Sequence, residues 1–154
     1  MLSPKHRRLL AEARTATLAT IDPNGRARLV PICFVVAGDV VWSPLDEKPK
    51  AVEDPRALAR VRDIAARPGV TLLVDRWSED WTELAWVRLH GSASLVEPGA
   101  VPKGLIAAIR SRYPQYREQD LEHRPTLRIS IDRVVGWSAT PEEHTVRRPG
   151  GDAS

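Results

Sequence analysis

Between Ala16 and Pro44 the chain alternates and turns in a way that suits only a tightly folded antiparallel sheet. Asp22-Pro23-Asn24-Gly25 is turn chemistry, with Asp opening the turn, Pro presetting φ at the second position and Gly at the fourth. Ala37-Gly38-Asp39 supplies a second tight reversal. Strands near 16–21, 26–37 and 39–44 are therefore expected as an antiparallel meander. The run then leaves the sheet through Pro44 and delivers Lys48 and Lys50, on either side of Pro49, just before a helix start at Asp54-Pro55. A sheet surface followed by paired cations suits a flat, phosphorylated ligand, whose phosphate would also meet free backbone N–H groups at the helix start. The plain alternative is a solvated loop, the usual place of surface lysines.

The rest of the chain punctuates itself with Pro and Gly. Residues 3–14 read as an opening helix, with Ser3 as N-cap and Pro4 in the first turn. After Asp54-Pro55, Leu58, Val61 and Ile64 give one apolar helical face, which Pro68-Gly69 ends. Val70–Trp77 is a strand, and the polar loop SEDWTE leads to a long strand over 84–96. A second helix spans 102–113, and a last strand over 126–137 alternates Leu127, Ile129 and Ile131 against Arg128, Ser130 and Asp132. The count is six strands and two to three helices. Sequential antiparallel strands of this length imply a mainly β, closed or nearly closed barrel with helices outside it, a flat two-layer α+β sheet being the alternative. The small residues Ala16, Thr17, Ala19 and Thr20 suit the crowded inside of such a barrel. Residues 1–140 are read as one domain, and 141–154 as a polar, mobile tail.

Composition narrows the function classes. With 154 residues, a chain like this buries about 68–70% of its extended surface. The net charge is only +3, from 23 basic and 20 acidic residues, and the arginines are scattered among Asp and Glu, so nucleic-acid binding is not expected. No apolar run approaches a membrane span, and the N-terminus lacks a signal-peptide core, so a cytoplasmic protein without a membrane partner is expected. The single cysteine, Cys33, excludes an internal disulfide and a multi-cysteine metal site. It reads as a small buried hydrophobe. The histidines show no ligand spacing. No Ser–His–Asp, HExxH, P-loop or GxGxxG pattern is present.

Two further features point to a ligand. Pro31 interrupts an otherwise good strand, which implies an edge or a bulge, or a backbone around Val30-Pro31-Ile32 left free to face a ligand. Five tryptophans accompany one Phe and two Tyr. Most should anchor a core or a subunit interface. Trp77 and Trp81, at a strand end and in the loop beyond, are the candidates for stacking on a ring.

In order and spacing these segments resemble the split-β-barrel flavin and deazaflavin oxidoreductases, the family that includes pyridoxamine 5′-phosphate oxidase. The resemblance covers roughly residues 5–137 and rests on the opening helix, ATLATIDPNGRARLVPI, VVWSP, the basic doublet, a helix and RPGVTLLVDRW. Where the flavin-mononucleotide (FMN) oxidases carry Arg-x-Val-Leu-Leu-Lys, this chain has Arg28-Leu29-Val30-Pro31-Ile32-Cys33, with cysteine in place of lysine. Glu47-Lys48-Pro49-Lys50 stands where their second phosphate motif falls. It is similar to the branch that uses the deazaflavin coenzyme F420, whose phospho-oligoglutamate tail is acidic.

The resemblance implies a six-stranded FMN-binding split barrel acting as a homodimer. It implies hydride transfer between coenzyme F420 and an unsaturated small molecule, with no catalytic side chain because the cofactor carries the chemistry. Lys48, Pro49 and Lys50 would hold the phosphate and tail, and Val30, Pro31, Ile32, Trp42 and Ser43 would lie against the ring and its side chain. Arg76 and Trp77 would close the site, from the same subunit or a second one. The alternatives within the resemblance are an FMN-binding oxidase or flavin reductase and a non-catalytic cofactor- or heme-binding protein.

Overall fold

The computed structural model describes residues 1–45 and 54–140. Its strands are β1 (Ala16–Ile21), β2 (Ala27–Ile32), β3 (Val35–Ala37), β4 (Val40–Pro44), β5 (Gly69–Arg76), β6 (Ala85–Val96) and β7 (Thr126–Ser138). The helices among the described residues are α1 (Pro4–Glu12), α2 (Ala59–Ala66) and α3 (Leu105–Arg112). All pairings are antiparallel, in one sheet of order β2-β1-β5-β6-β7-β4-β3.

That order alone dictates the shape. β2 and β3 are the two edges of a seven-stranded sheet, yet only Cys33 and Phe34 separate them. Three Cα steps span at most about 11 Å. Six inter-strand gaps in a flat sheet would put the edges roughly 29 Å apart. The sheet is therefore curled until its edges meet at that corner, which makes a split barrel. The fold is the one the sequence implies, with seven strands rather than six: the expected strand over 26–37 breaks at Cys33-Phe34, where the chain leaves β1 and crosses to the far edge. The two turns stand as read, with Gly25 at φ 77° and Gly38 at φ 62°, values L-residues rarely adopt.

The interior is filled by Leu18, Phe34, Val41, Leu72, Val87, Leu89, Leu127 and Ile129, with Leu9 and Leu10 of α1 and Ile64 of α2 joining the same cluster. Of the small residues on β1, Ala16 and Thr20 point inward beside Leu18, while Thr17 and Ala19 face out. α3 packs on the outer side of β3 and β4, through Leu105, Ile109 and Tyr113 against Val35 and Trp42.

A latch holds the corner. The Tyr113 hydroxyl accepts from the Phe34 N–H at 3.1 Å and lies 2.9 Å from the Arg14 carbonyl. Ser43 donates to the Cys33 carbonyl at 2.8 Å. Arg112 donates to the carbonyls of Leu10, Ala11 and Ala13 at the end of α1 and lies over the Phe34 ring. A cation at a helix C-terminus satisfies carbonyls that have no partner within the helix. No helix among the described residues is long and apolar enough to cross a membrane.

Candidate functional site

β2 is an edge strand, which accounts for Pro31 without a bulge: a proline costs no ladder bond on the side that has no neighbour. Val30 and Ile32 turn inward beside Leu18 and Ala16, whereas Leu29 and Pro31 face out. Leu29 is 65% exposed.

Arg28, next to these residues, is partly exposed but engaged. It turns inward, and its Nε donates to Asp63 Oδ2 at 2.7 Å. The same oxygen accepts from the buried Thr20 hydroxyl at 2.8 Å, and Arg67 stands 3.8 Å from the other carboxylate oxygen. Asp63 is held below the usual carboxylate range, first by the Arg28 hydrogen bond and with Thr20 adding to it, against the opposing effect of burial. The cluster pins α2 to β1 and β2, and α2 follows directly on the segment that carries the lysine doublet.

Trp42 and Ser43 are both buried. The Trp42 ring packs in the cluster under α3, with the Arg128 guanidinium 5.9 Å from its centre, and Ser43 belongs to the corner latch. Lys48, Pro49 and Lys50 lie outside the described residues, as does the 141–154 tail. Both flanks of the lysine segment are placed. The Leu45 carbonyl accepts from Arg124 Nε at 2.8 Å. Asp54 caps the 3₁₀ turn Pro55–Ala57, in which Arg56 pairs with Glu97 just beyond β6. The segment therefore leaves from, and returns to, the end of the barrel where β6 finishes and β7 begins.

Arg76 and Trp77 stand at the other end, where β5 turns into β6. Arg76 donates through Nε to the Glu83 carbonyl at 2.7 Å and through Nη1 to Glu12 at 3.0 Å. Trp77 is 67% exposed and Trp81 70%. Trp86 and Trp137 are cross-strand partners at the same end, so four of the five tryptophans gather there. Sequence reading singles out Trp77 and Trp81 but not this gathering, because the register that brings Trp137 beside Trp86 is long-range.

Between the two ends, the outer face of the sheet is uncovered. Rows across it run Pro31–Thr17–Leu73–Arg88–Val135 and Leu29–Ala19–Thr71–His90–Arg133. Leu29, Leu73, Ile21 and Trp137 are exposed large hydrophobics. These apolar side chains are interleaved with Thr17, Thr71, Arg88, His90 and Arg133, so the face is mixed apolar and polar. Among the described residues there is no group of His, Cys, Asp and Glu that could hold a metal ion.

The pyridoxamine 5′-phosphate oxidase family model matches residues 2–138. No curated protein matches the chain. Solved structures do. A conserved hypothetical protein of Mycobacterium tuberculosis superimposes with a TM-score of 0.69 at 20% identity, covering 100% of this chain and 93% of its own. An F420 reductase gives 0.63 at 17% identity, covering 84% and 94%. The heme storage protein HutZ of Vibrio cholerae gives 0.63 at 15% identity, covering 89% and 94%. At these identities the likeness is one of fold.

Proposed function

The chain belongs to the pyridoxamine 5′-phosphate oxidase family, and we propose that within it the protein is a homodimeric, cytoplasmic oxidoreductase that uses coenzyme F420 to reduce an unsaturated small molecule. The observation that carries this reading is the separation of the site's two halves. β6 runs twelve residues from the tryptophan end to the lysine end, which at the usual rise is about 36 Å. Eight residues joining Leu45 to Asp54 can extend outward by at most half their contour, about 15 Å. That span favours a cofactor held by Lys48 and Lys50 of one protomer and by Arg76 and Trp77 of its partner. The uncovered outer face, with Leu29, Pro31 and Leu73 exposed beside polar neighbours, offers a self-complementary surface of the kind a two-fold dimer buries.

The cofactor supplies the hydride chemistry when bound. Lys48 and Lys50 neutralise its phosphate and acidic tail, the backbone of β2 at Val30–Ile32 borders its ring, and Trp77 from the partner protomer shields the ring from water. F420 is favoured over FMN because Arg28, the cation that matches the flavin phosphate motif, is tied to Asp63 in an ion pair. A heme-binding role is disfavoured. On the outer sheet face, Arg88 Nε lies 3.3 Å from His90 Nε2, a cation where an iron ligand needs open space.

Parallel fluorescence titrations of F420 and FMN into the purified protein test the proposal. Micromolar F420 binding and FMN binding at least ten-fold weaker are expected. Tighter FMN binding, or binding of neither, overturns the assignment. Sedimentation should give a species of twice the 17.1 kDa chain mass.

A further inference from the structure

A second concavity lies away from the lysine segment, between α1 and the last residues of β7. It has a volume of about 560 Å³ and is lined by Lys5, His6, Arg8, Arg76, Gly136 and Trp137, among others. That volume falls within the range of small-molecule sites, roughly 300–1,000 Å³. Among the described residues, every ionisable side chain lining it is basic and no Asp or Glu contributes to its walls. Most of these cations are already engaged: Arg76 with Glu12 and the Glu83 carbonyl, and Lys5 with the Thr140 carbonyl. Among the described residues Arg8 has no hydrogen-bond or ion-pair partner. His6 is oriented from behind, since its Nδ1 accepts the Ser3 N–H at 3.2 Å. In the neutral ring this leaves the proton on Nε2, which faces the cleft wall at Gly136. A β-carbon at Gly136 would come within 2.9 Å of His6 Nε2, so the wall there is bare backbone.

We propose that this cleft is a binding site for a small, flat aromatic carboxylic acid. Arg8, without a partner among the described residues, matches a carboxylate as a planar fork. His6 Nε2–H is a second donor at the same wall. Leu9, Ala85, Trp86 and the partly exposed Trp137 give the ring an apolar surface. The cleft shares Arg76 with the proposed cofactor site at the tryptophan end of the barrel, but Arg8, His6 and Gly136, on which the proposal rests, have no part in that site.

The probe is 2-naphthoate, titrated into the full-length protein and followed by tryptophan fluorescence and calorimetry, with uncharged 2-naphthalenemethanol as its control. Saturable one-to-one binding is expected, with the alcohol at least ten-fold weaker. Arg8→Glu removes the cation from an exposed position. Gly136→Ala displaces only the far end of the His6 side chain into the cleft. Each should weaken naphthoate at least ten-fold without lowering the melting temperature by more than a degree or two. Naphthoate binding without any F420 binding supports the cleft and removes the cofactor assignment. Non-saturable binding, equal affinity for the alcohol, or parent-like affinity in both variants overturns the proposal.

Discussion

Asp63→Ala is the perturbation that asks most of the fold. The Asp63 side chain is 3% exposed and accepts two hydrogen bonds through one oxygen, from Thr20 at 2.8 Å and Arg28 at 2.7 Å. Arg28 is 40% exposed, so on losing its partner it turns to water and loses little. Thr20 is fully buried and has no such recourse, so its hydroxyl bears most of the cost. A hydrogen bond to a charged acceptor contributes about 1.5–3 kcal/mol, and a buried orphaned donor costs about as much, which puts the substitution near 2–3 kcal/mol in total. With a urea m-value of about 2 kcal/mol/M, the unfolding midpoint should fall by roughly 1 M at pH 7. The carboxylate is held below its ordinary pKa. Its stabilisation is therefore complete above about pH 4, the unfolded value, and is lost as pH falls through the lower folded value. The gap between parent and variant should accordingly narrow below about pH 4. Adding Thr20→Val to Asp63→Ala should recover part of the loss, because the orphaned hydroxyl is gone. Urea melts at pH 7, 5 and 3.5 decide the matter. A midpoint shift under about 0.3 M at pH 7, or one that stays constant into acid, would refute the assignment of Asp63 as the anchor of α2.

Tyr113→Phe removes the acceptor for the buried Phe34 N–H and should destabilise by about 1–3 kcal/mol in the same melts. Gly91→Ala should be worse than a usual surface change, since a β-carbon there would stand 2.1 Å from the Ser130 carbonyl oxygen. Loss of cooperative unfolding, or a cost above about 3 kcal/mol, is expected. Lys48→Ala and Lys50→Ala should each weaken F420 roughly ten- to a hundred-fold, more so than Arg28→Ala, and leave melting unchanged. Affinity should also fall as salt rises, to the extent that the tail contacts stay exposed.

The local half of this architecture is readable from the sequence because it is made of local chemistry. Asp22 accepts from the Asn24 and Arg26 N–H groups and closes its own turn. Ser3 caps α1 from three residues away, and β7 buries Leu127, Ile129 and Ile131 as its alternation says. The strand break at Cys33-Phe34 is not readable, because nothing between Val30 and Val36 signals that the partner strand has changed. What fixes the break is Tyr113, seventy-nine residues along the chain. The pairing of Arg28 is hidden for the same reason, since its partner Asp63 lies on a helix that only tertiary packing brings near. Trp42 and Ser43 sit on a strand whose outer face is open until α3 covers it. Of the residues named for the site, the β2 group lies in register with Leu72 and Leu73 of β5, a few residues from Arg76, whereas the flanks of the lysine segment stand at the other end of the barrel. The distance between those two ends is set by long-range register, which no linear reading supplies.

That separation makes the shared site directly testable by mixing. Lys50→Ala and Trp77→Ala, each purified alone, should bind F420 at least ten-fold more weakly than the parent. After equimolar unfolding and refolding together, half of the two-fold dimers carry one of each chain, and in those dimers one composite site has both residues intact. Tight binding should then return to about one quarter of all sites, with both variants still dimeric. No recovery in a mixture shown to contain heterodimers would place Lys50 and Trp77 in one protomer's site and contradict the shared-site account. Parent-like binding by both single variants would remove the proposed site altogether.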